Sequence, residues 1–167
     1  MLEEFGDFWT IQGDARCITT NGALRANGDA IMGKGIALQA KQRYSKIEFT
    51  LGRLIQKYGN HTFYLGYGLI SFPTKHDWRD SKSDIELIKR SAIELVSLLK
   101  GDVPIKNKSN RRILLTRPGC GSGNLEWKEV RPILQTILNS NEFIVVNHND
   151  DREESYKVKD GVEKITC

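Results

Sequence analysis

Cysteine is scarce in this chain: Cys17, Cys120 and Cys167 are the only three in 167 residues. An odd number at wide spacing fits neither a disulfide framework nor a zinc site, so the fold is expected to rest on its apolar core in a reducing, cytoplasmic setting. The first residues, Met1-Leu2-Glu3-Glu4, are acidic and lack the apolar segment of an export signal, and no run approaches the length of a membrane span. Walker A, Gly-x-Ser-x-Gly, His-Glu-x-x-His and Rossmann patterns are also absent, which argues against P-loop NTPases, elbow-type serine hydrolases, zinc proteases and dinucleotide oxidoreductases. Clustered arginines and aromatic-rich strand motifs of the kind that read bases are missing too, so a nucleic-acid domain drawn by charge alone is disfavoured. The net charge of +4 and pI near 9.0 come from interspersed acids and bases, as on a solvated mixed surface.

What the chain does have is a pair of glycine-rich turns, Met32-Gly33-Lys34-Gly35 and Pro118-Gly119-Cys120-Gly121-Ser122-Gly123-Asn124. Each lies between a strand-like run and a helix-like run. A helix N-terminus offers unpaired N–H groups and the positive end of the helix dipole, and glycine lets an anion approach that backbone, so each turn can hold a phosphate and the pair suggests a diphosphate. Strand-like and helix-like segments alternate along the chain, which points to a single α/β domain over residues 1–149 and a charged tail or arm over 150–167. Strands are expected at 8–12, 16–20, 62–66, 68–72 (closed by Pro73), 112–116 and 143–146. Helices are expected at 35–43, 46–58, 84–100 (with a Ser83/Glu86 capping box) and 127–138.

Three places offer chemistry. Gly13-Asp14 follows the first expected strand; its carboxylate either accepts a hydrogen bond from an exocyclic amine such as that of adenine or belongs to an ordinary turn. Lys75, in Phe72-Pro73-Thr74-Lys75-His76-Asp77-Trp78, is expected at the carboxyl edge of the sheet, where α/β proteins bind ligands. It would act as a nucleophile or as a fixed cation, with His76 able to relay a proton. Cys120 lies in a phosphate-type loop but lacks the following arginine of a loop phosphatase, so it reads as a small buried filler.

Together these pieces resemble a macrodomain, the ADP-ribose-binding module, over roughly residues 8–147. The resemblance rests on Gly13-Asp14, Asn21 after Thr-Thr, Met32-Gly33-Lys34-Gly35-Ile36-Ala37 at a helix start, and Gly119-Cys120-Gly121 with Leu125-Glu126-Trp127 behind it. Phe72-Pro73-Thr74-Lys75 followed by Trp78 is similar to the branch that holds the DarG antitoxins and the terminal ADP-ribose glycohydrolase. The resemblance implies a three-layer α/β/α fold with a central mixed β-sheet, and a site with no cofactor and no metal. It places Asp14 on the adenine amine, Asn21 (or Asn27) on the distal ribose, and Gly33, Lys34, Gly35 and Ile36 along the distal ribose and diphosphate. Gly119, Gly121, Ser122, Gly123 and Asn124 would wrap the phosphates, and Lys75, with His76, would act at the distal C1″ carbon. Where the human glycohydrolase has a catalytic aspartate, this chain has Gly123, which favours the DarG-like chemistry. The implied function is an ADP-ribosyl hydrolase acting on modified DNA bases or protein side chains, the alternative being a non-catalytic module for ADP-ribose or its 1″-phosphate. The expected partners are ADP-ribose and ADP-ribosylated macromolecules, DNA included, with no membrane and a monomeric protein.

Overall fold

The computed structural model describes residues 1–106 and 109–148; the expected tail at 150–167 lies outside them. Strands β1 (Leu2–Phe5), β2 (Ala15–Asn21), β3 (Tyr64–Gly66), β4 (Leu69–Lys75), β5 (Ile113–Leu115) and β6 (Phe143–Asn147) form one sheet in the order β1-β6-β5-β2-β4-β3. All neighbours are parallel except β3, which runs antiparallel to β4. Helices α1 (Gly35–Arg43) and α2 (Ile47–Tyr58) pack on one face, α3 (Ile85–Lys100) and α4 (Trp127–Ile137) on the other. The result is the expected three-layer α/β/α arrangement around a mixed sheet.

The strands alternate between two cores because successive side chains point to opposite faces. Ile113, Leu115, Phe143 and Val145 face α3 and α4 together with Ile70 and Phe72, whereas Leu114, Ile144, Val146 and Ile18 face α1 and α2. Each large apolar side chain so buried contributes about 1.5–3 kcal/mol. Among the described residues no helix is long and apolar enough to cross a membrane.

Three expectations need correction. Residues 8–12 form no strand: the Arg16 guanidinium donates to the carbonyls of Phe8, Trp9 and Ile11 (3.0, 3.3 and 2.6 Å) and holds them as a turn, and the preceding segment Leu2–Phe5 is the strand instead. Pro73 does not close β4, which runs on to Lys75. Ser71 N donates to Phe63 O on the β3 side, so Pro73, two residues on, turns its N–H-less nitrogen the same way, beyond the end of β3 where no ladder bond is lost. Finally, the N-cap of α3 is Asp84, whose side chain accepts from Glu86 N and Leu87 N, rather than Ser83.

Glu3 ties the edge of the sheet to its second layer. Its carboxylate accepts from Arg131 Nε on α4 (2.5 Å) and from Asn147 Nδ2 on β6 (3.1 Å). Burial raises its pKa, but the hydrogen bonds from Asn147 and Arg131 outweigh that and hold the carboxyl below its usual range. A folded-state pKa below the unfolded one means that the stabilisation is complete above the ordinary carboxylate value and is lost as pH falls through the lowered one. Glu3→Gln is therefore expected to lower Tm at neutral pH and to flatten its fall in acid, as followed by circular dichroism; an unchanged acid limb would remove Glu3 as a cause of acid sensitivity.

Candidate functional site

The carboxyl ends of the parallel strands open into a cavity of about 1080 Å³. Arg25, Lys34, Arg43, Lys75 and Arg117 line it against Asp7 and Glu126, so the wall is predominantly basic.

On one side lies the start of α1. Lys34, the N-cap, is extended (φ −145°, ψ 160°) and makes no side-chain cap, and no acidic residue stands in the first turn. Ordinary helix starts satisfy their first amides with such a cap. Here the amides of Gly35, Ile36 and Ala37 precede the first helical bond, Leu38 N to Lys34 O at 3.2 Å, and these residues line the cavity. Gly35 adopts φ +54°, and a Cβ at Gly33 or Gly35 would meet nothing within 4 Å. That space is therefore open to a ligand.

The opposite side is the loop after β5. Its internal bonds run from Cys120 N to Arg117 O (3.2 Å), Asn124 N to Gly121 O (3.0 Å) and Leu125 N to Gly119 O (2.9 Å), and the amides of Gly121, Ser122 and Gly123 donate to none of the described residues. A Cβ at Gly121 would stand in open space, whereas one at Gly123 would run into Ser83 Oγ and the Gly119 carbonyl. Gly123 thus cannot carry the aspartate of the human glycohydrolase without displacing backbone. Gly123→Asp is expected to destabilise the fold by about 1–3 kcal/mol, read as a lower Tm. A variant of wild-type stability would overturn that packing argument.

Lys75, at the end of β4, pairs across the sheet with Asn21 beyond a register shift that leaves Thr74 of β4 as the extra residue. Its ammonium donates to Asp80 O (2.7 Å) and Ser122 O (3.0 Å), strapping the loop after β4 to the second glycine turn. An ammonium has three N–H bonds, so one remains for a ligand. Asn21 also lines the cavity, but its amide braces the following loop, with Nδ2 donating to Ile31 O (3.0 Å) and Oδ1 accepting from Ala23 N (2.9 Å). Asn27 lies outside the cavity lining, paired with Asp29.

Of the expected site residues, Asn21, Gly33, Lys34, Gly35, Ile36, Lys75, Gly119, Gly121, Ser122 and Gly123 come together in the lining, and Asp14, His76 and Asn124 do not. Asp14 precedes β2 and so lies at the amino edge, where its carboxylate accepts from Arg112 N (2.8 Å) while Gly13 leaves room for Leu114. His76 turns its Nε2 to Asp84 Oδ2 (2.8 Å), a bond that heads the causes lowering the Asp84 pKa. Asn124 donates to Ser81 O (2.7 Å) and so clasps the loop. Cys120 lines the cavity, but burial pushes its thiol up to about 11, which keeps it protonated and weakly nucleophilic near neutrality.

The site also contains residues that sequence reasoning missed. Gly6-Asp7 follows β1 directly, and Asp7 lines the cavity with Oδ1 accepting from Trp9 N (2.6 Å). The signal was available, since Gly6-Asp7 is the same dipeptide as Gly13-Asp14, but it falls after a strand that was not recognised. Thr20 Oγ1 and Ser83 Oγ are buried on the same wall with no hydrogen-bond partner among the described residues. Such hydroxyls are suited to meeting a polar ligand.

A sheet of this order, with a helix start and a glycine loop facing each other across its carboxyl edge, defines a macrodomain, and the chain belongs to that superfamily. No family model matches the chain. Within the superfamily it resembles the DarG branch. The Mycobacterium tuberculosis DarG macrodomain superposes with a TM-score of 0.70 at 25% identity, over 88% of this chain and 95% of that one. A protein named DNA ADP-ribosyl glycohydrolase from the same organism is 32% identical over 111 residues, 60% of this chain and 29% of that relative. Thermosipho africanus DarTG, solved with ADP-ribose, has the same fold (TM-score 0.69, 19% identity, 90% of this chain and 42% of that one). The chain spans about a third of the length of the curated relatives it matches.

Proposed function

We propose that the protein is an ADP-ribosyl hydrolase that releases ADP-ribose from a modified DNA base or protein side chain at the distal ribose C1″. The observation that carries this reading is the Lys75 ammonium, fixed on the cavity wall by Asp80 O and Ser122 O beside the second glycine turn. The names of the DarG relatives support the same substrate class.

In this reading the diphosphate lies between the Gly33-Lys34-Gly35-Ile36 helix start and the amides of Gly121, Ser122 and Gly123, where the unpaired N–H groups concentrate. Asp7, at the carboxyl end of β1, takes the adenine amine in place of Asp14. The distal ribose lies toward Asn21 and Lys75. Hydrolysis breaks the bond from C1″ to the acceptor, places a water-derived hydroxyl on C1″ and leaves a proton on the acceptor. Lys75 sets a positive charge and one N–H where negative charge develops, a contribution made chiefly in the transition state. The free thiols of Cys17 and Cys120 suit a reducing cytoplasm, and a cavity built within one chain suits a monomer. Calorimetry with ADP-ribose, followed by release assays on ADP-ribosylated single-stranded DNA and on auto-modified protein, tests the reading. Binding with release is expected; binding without release from either substrate would leave the non-catalytic module.

A further inference from the structure

The loop after β4 holds an indole whose exposure needs a reason. Trp78 lines the cavity yet remains 53% exposed. Several other exposed or rim rings have a partner. Arg43 lies over Trp9 at 4.6 Å, Arg53 over Phe49 at 4.7 Å and Lys57 over Tyr58 at 5.1 Å, and Tyr67 lies beside Tyr44 at 5.5 Å with the rings tilted by 34°. Among the described residues Trp78 has no ring, cation or hydrogen-bond partner.

The loop that presents Trp78 is stiff. Asp77 N donates to Asp80 Oδ2 (2.9 Å), and Asp77 receives a two-pronged bond from Arg79, Nε to Oδ1 (2.9 Å) and Nη2 to Oδ2 (2.8 Å). These bonds from Arg79 hold the Asp77 carboxyl down to about 2, so it stays ionised through neutral and mildly acidic pH. The loop then folds back until Asp80 O meets the Lys75 ammonium. The loop therefore places Trp78 at the Lys75 end of the cavity, where the hydrolase reading puts C1″ and hence the acceptor. A half-exposed indole carried on a braced loop offers a flat apolar face, and stacking on a nucleobase uses such a face whatever the base. A carboxylate side chain as acceptor has no ring to lay on it.

We propose that Trp78 is the platform on which the nucleobase bearing the ADP-ribose stacks, and that it makes this site prefer DNA-linked over protein-linked ADP-ribose. The proposal rests on the hydrolase reading above. The test compares wild type, Trp78→Ala and Trp78→Phe on a single-stranded oligonucleotide carrying ADP-ribose on one base, on a protein modified on carboxylates, and on free ADP-ribose. For Trp78→Ala, kcat/KM on the oligonucleotide is expected to fall about tenfold to a hundredfold, with release from protein and affinity for free ADP-ribose each within about threefold of wild type. Trp78→Phe should recover most of the loss. If wild type binds without cleaving, the affinity for the intact modified oligonucleotide is expected to fall by the same factor. Equal losses on all three ligands, no loss on the oligonucleotide, or no rescue by phenylalanine would overturn the platform. Wild-type protein that fails to bind free ADP-ribose would instead overturn the parent reading, and the platform with it.

Discussion

Gly35→Glu is expected to abolish ADP-ribose binding. The residue opens α1 at φ +54°, with nothing within 4 Å of where a Cβ would stand, so a glutamate there projects a carboxylate into the space assigned to the diphosphate. Losing two charge-assisted bonds to backbone amides costs on the order of 3 kcal/mol, more than a hundredfold in affinity, before repulsion is counted. Left-handed backbone at a non-glycine residue adds a strain of about 1–2 kcal/mol, which Gly35→Ala also carries without the charge. Calorimetric titration of both variants, with circular dichroism to confirm folding, separates the effects. If folded Gly35→Glu binds as wild type does, the phosphate assignment of this helix start is wrong.

The second large effect is at Lys75. Lys75→Ala should lower turnover by about a hundredfold or more while leaving ADP-ribose affinity within a few-fold, because a group acting mainly on the transition state contributes little to ground-state binding. A lysine that only clamps phosphate would lose rate and affinity together. The ammonium also straps two loops through Asp80 O and Ser122 O, so the variant should be somewhat less stable as well. Product release and ADP-ribose affinity measured on one preparation tell these roles apart; a parallel fall in both would return Lys75 to the phosphate clamp.

The parts of the fold that were legible from sequence are those with a local cause. Ile113–Leu115 and Phe143–Asn147 are unbroken buried runs, and α2 and α3 repeat apolar residues every three or four positions. β1 has no such cause. Its sequence Leu-Glu-Glu-Phe places adjacent carboxylates in a strand, tolerable because Glu3 meets Arg131 and Asn147 while Glu4 meets Arg112, all remote in sequence. Residues 8–12 carry the better strand composition, yet the Arg16 guanidinium holds them as a turn. Tertiary partners outweighed β propensity in both places. With Leu2–Phe5 as the first strand, the carboxylate that follows it is Asp7, whereas Asp14 precedes β2. The two glycine turns and Lys75 were legible because their pattern is written in consecutive residues, whereas Thr20 and Ser83 acquire meaning only from their place on the cavity wall.

The proline in β4 has a consequence for how copies of this chain can meet. β3 is the border strand, three residues long with a register shift, and past its end β4 carries Pro73, a buried residue with no amide hydrogen whose carbonyl accepts from Ser91 Oγ on α3, while Asn60 Nδ2 takes the Lys75 carbonyl. A foreign strand that tried to extend the sheet there would find too short a template, a missing donor and carbonyls already taken, so this border is a poor one for edge-to-edge growth.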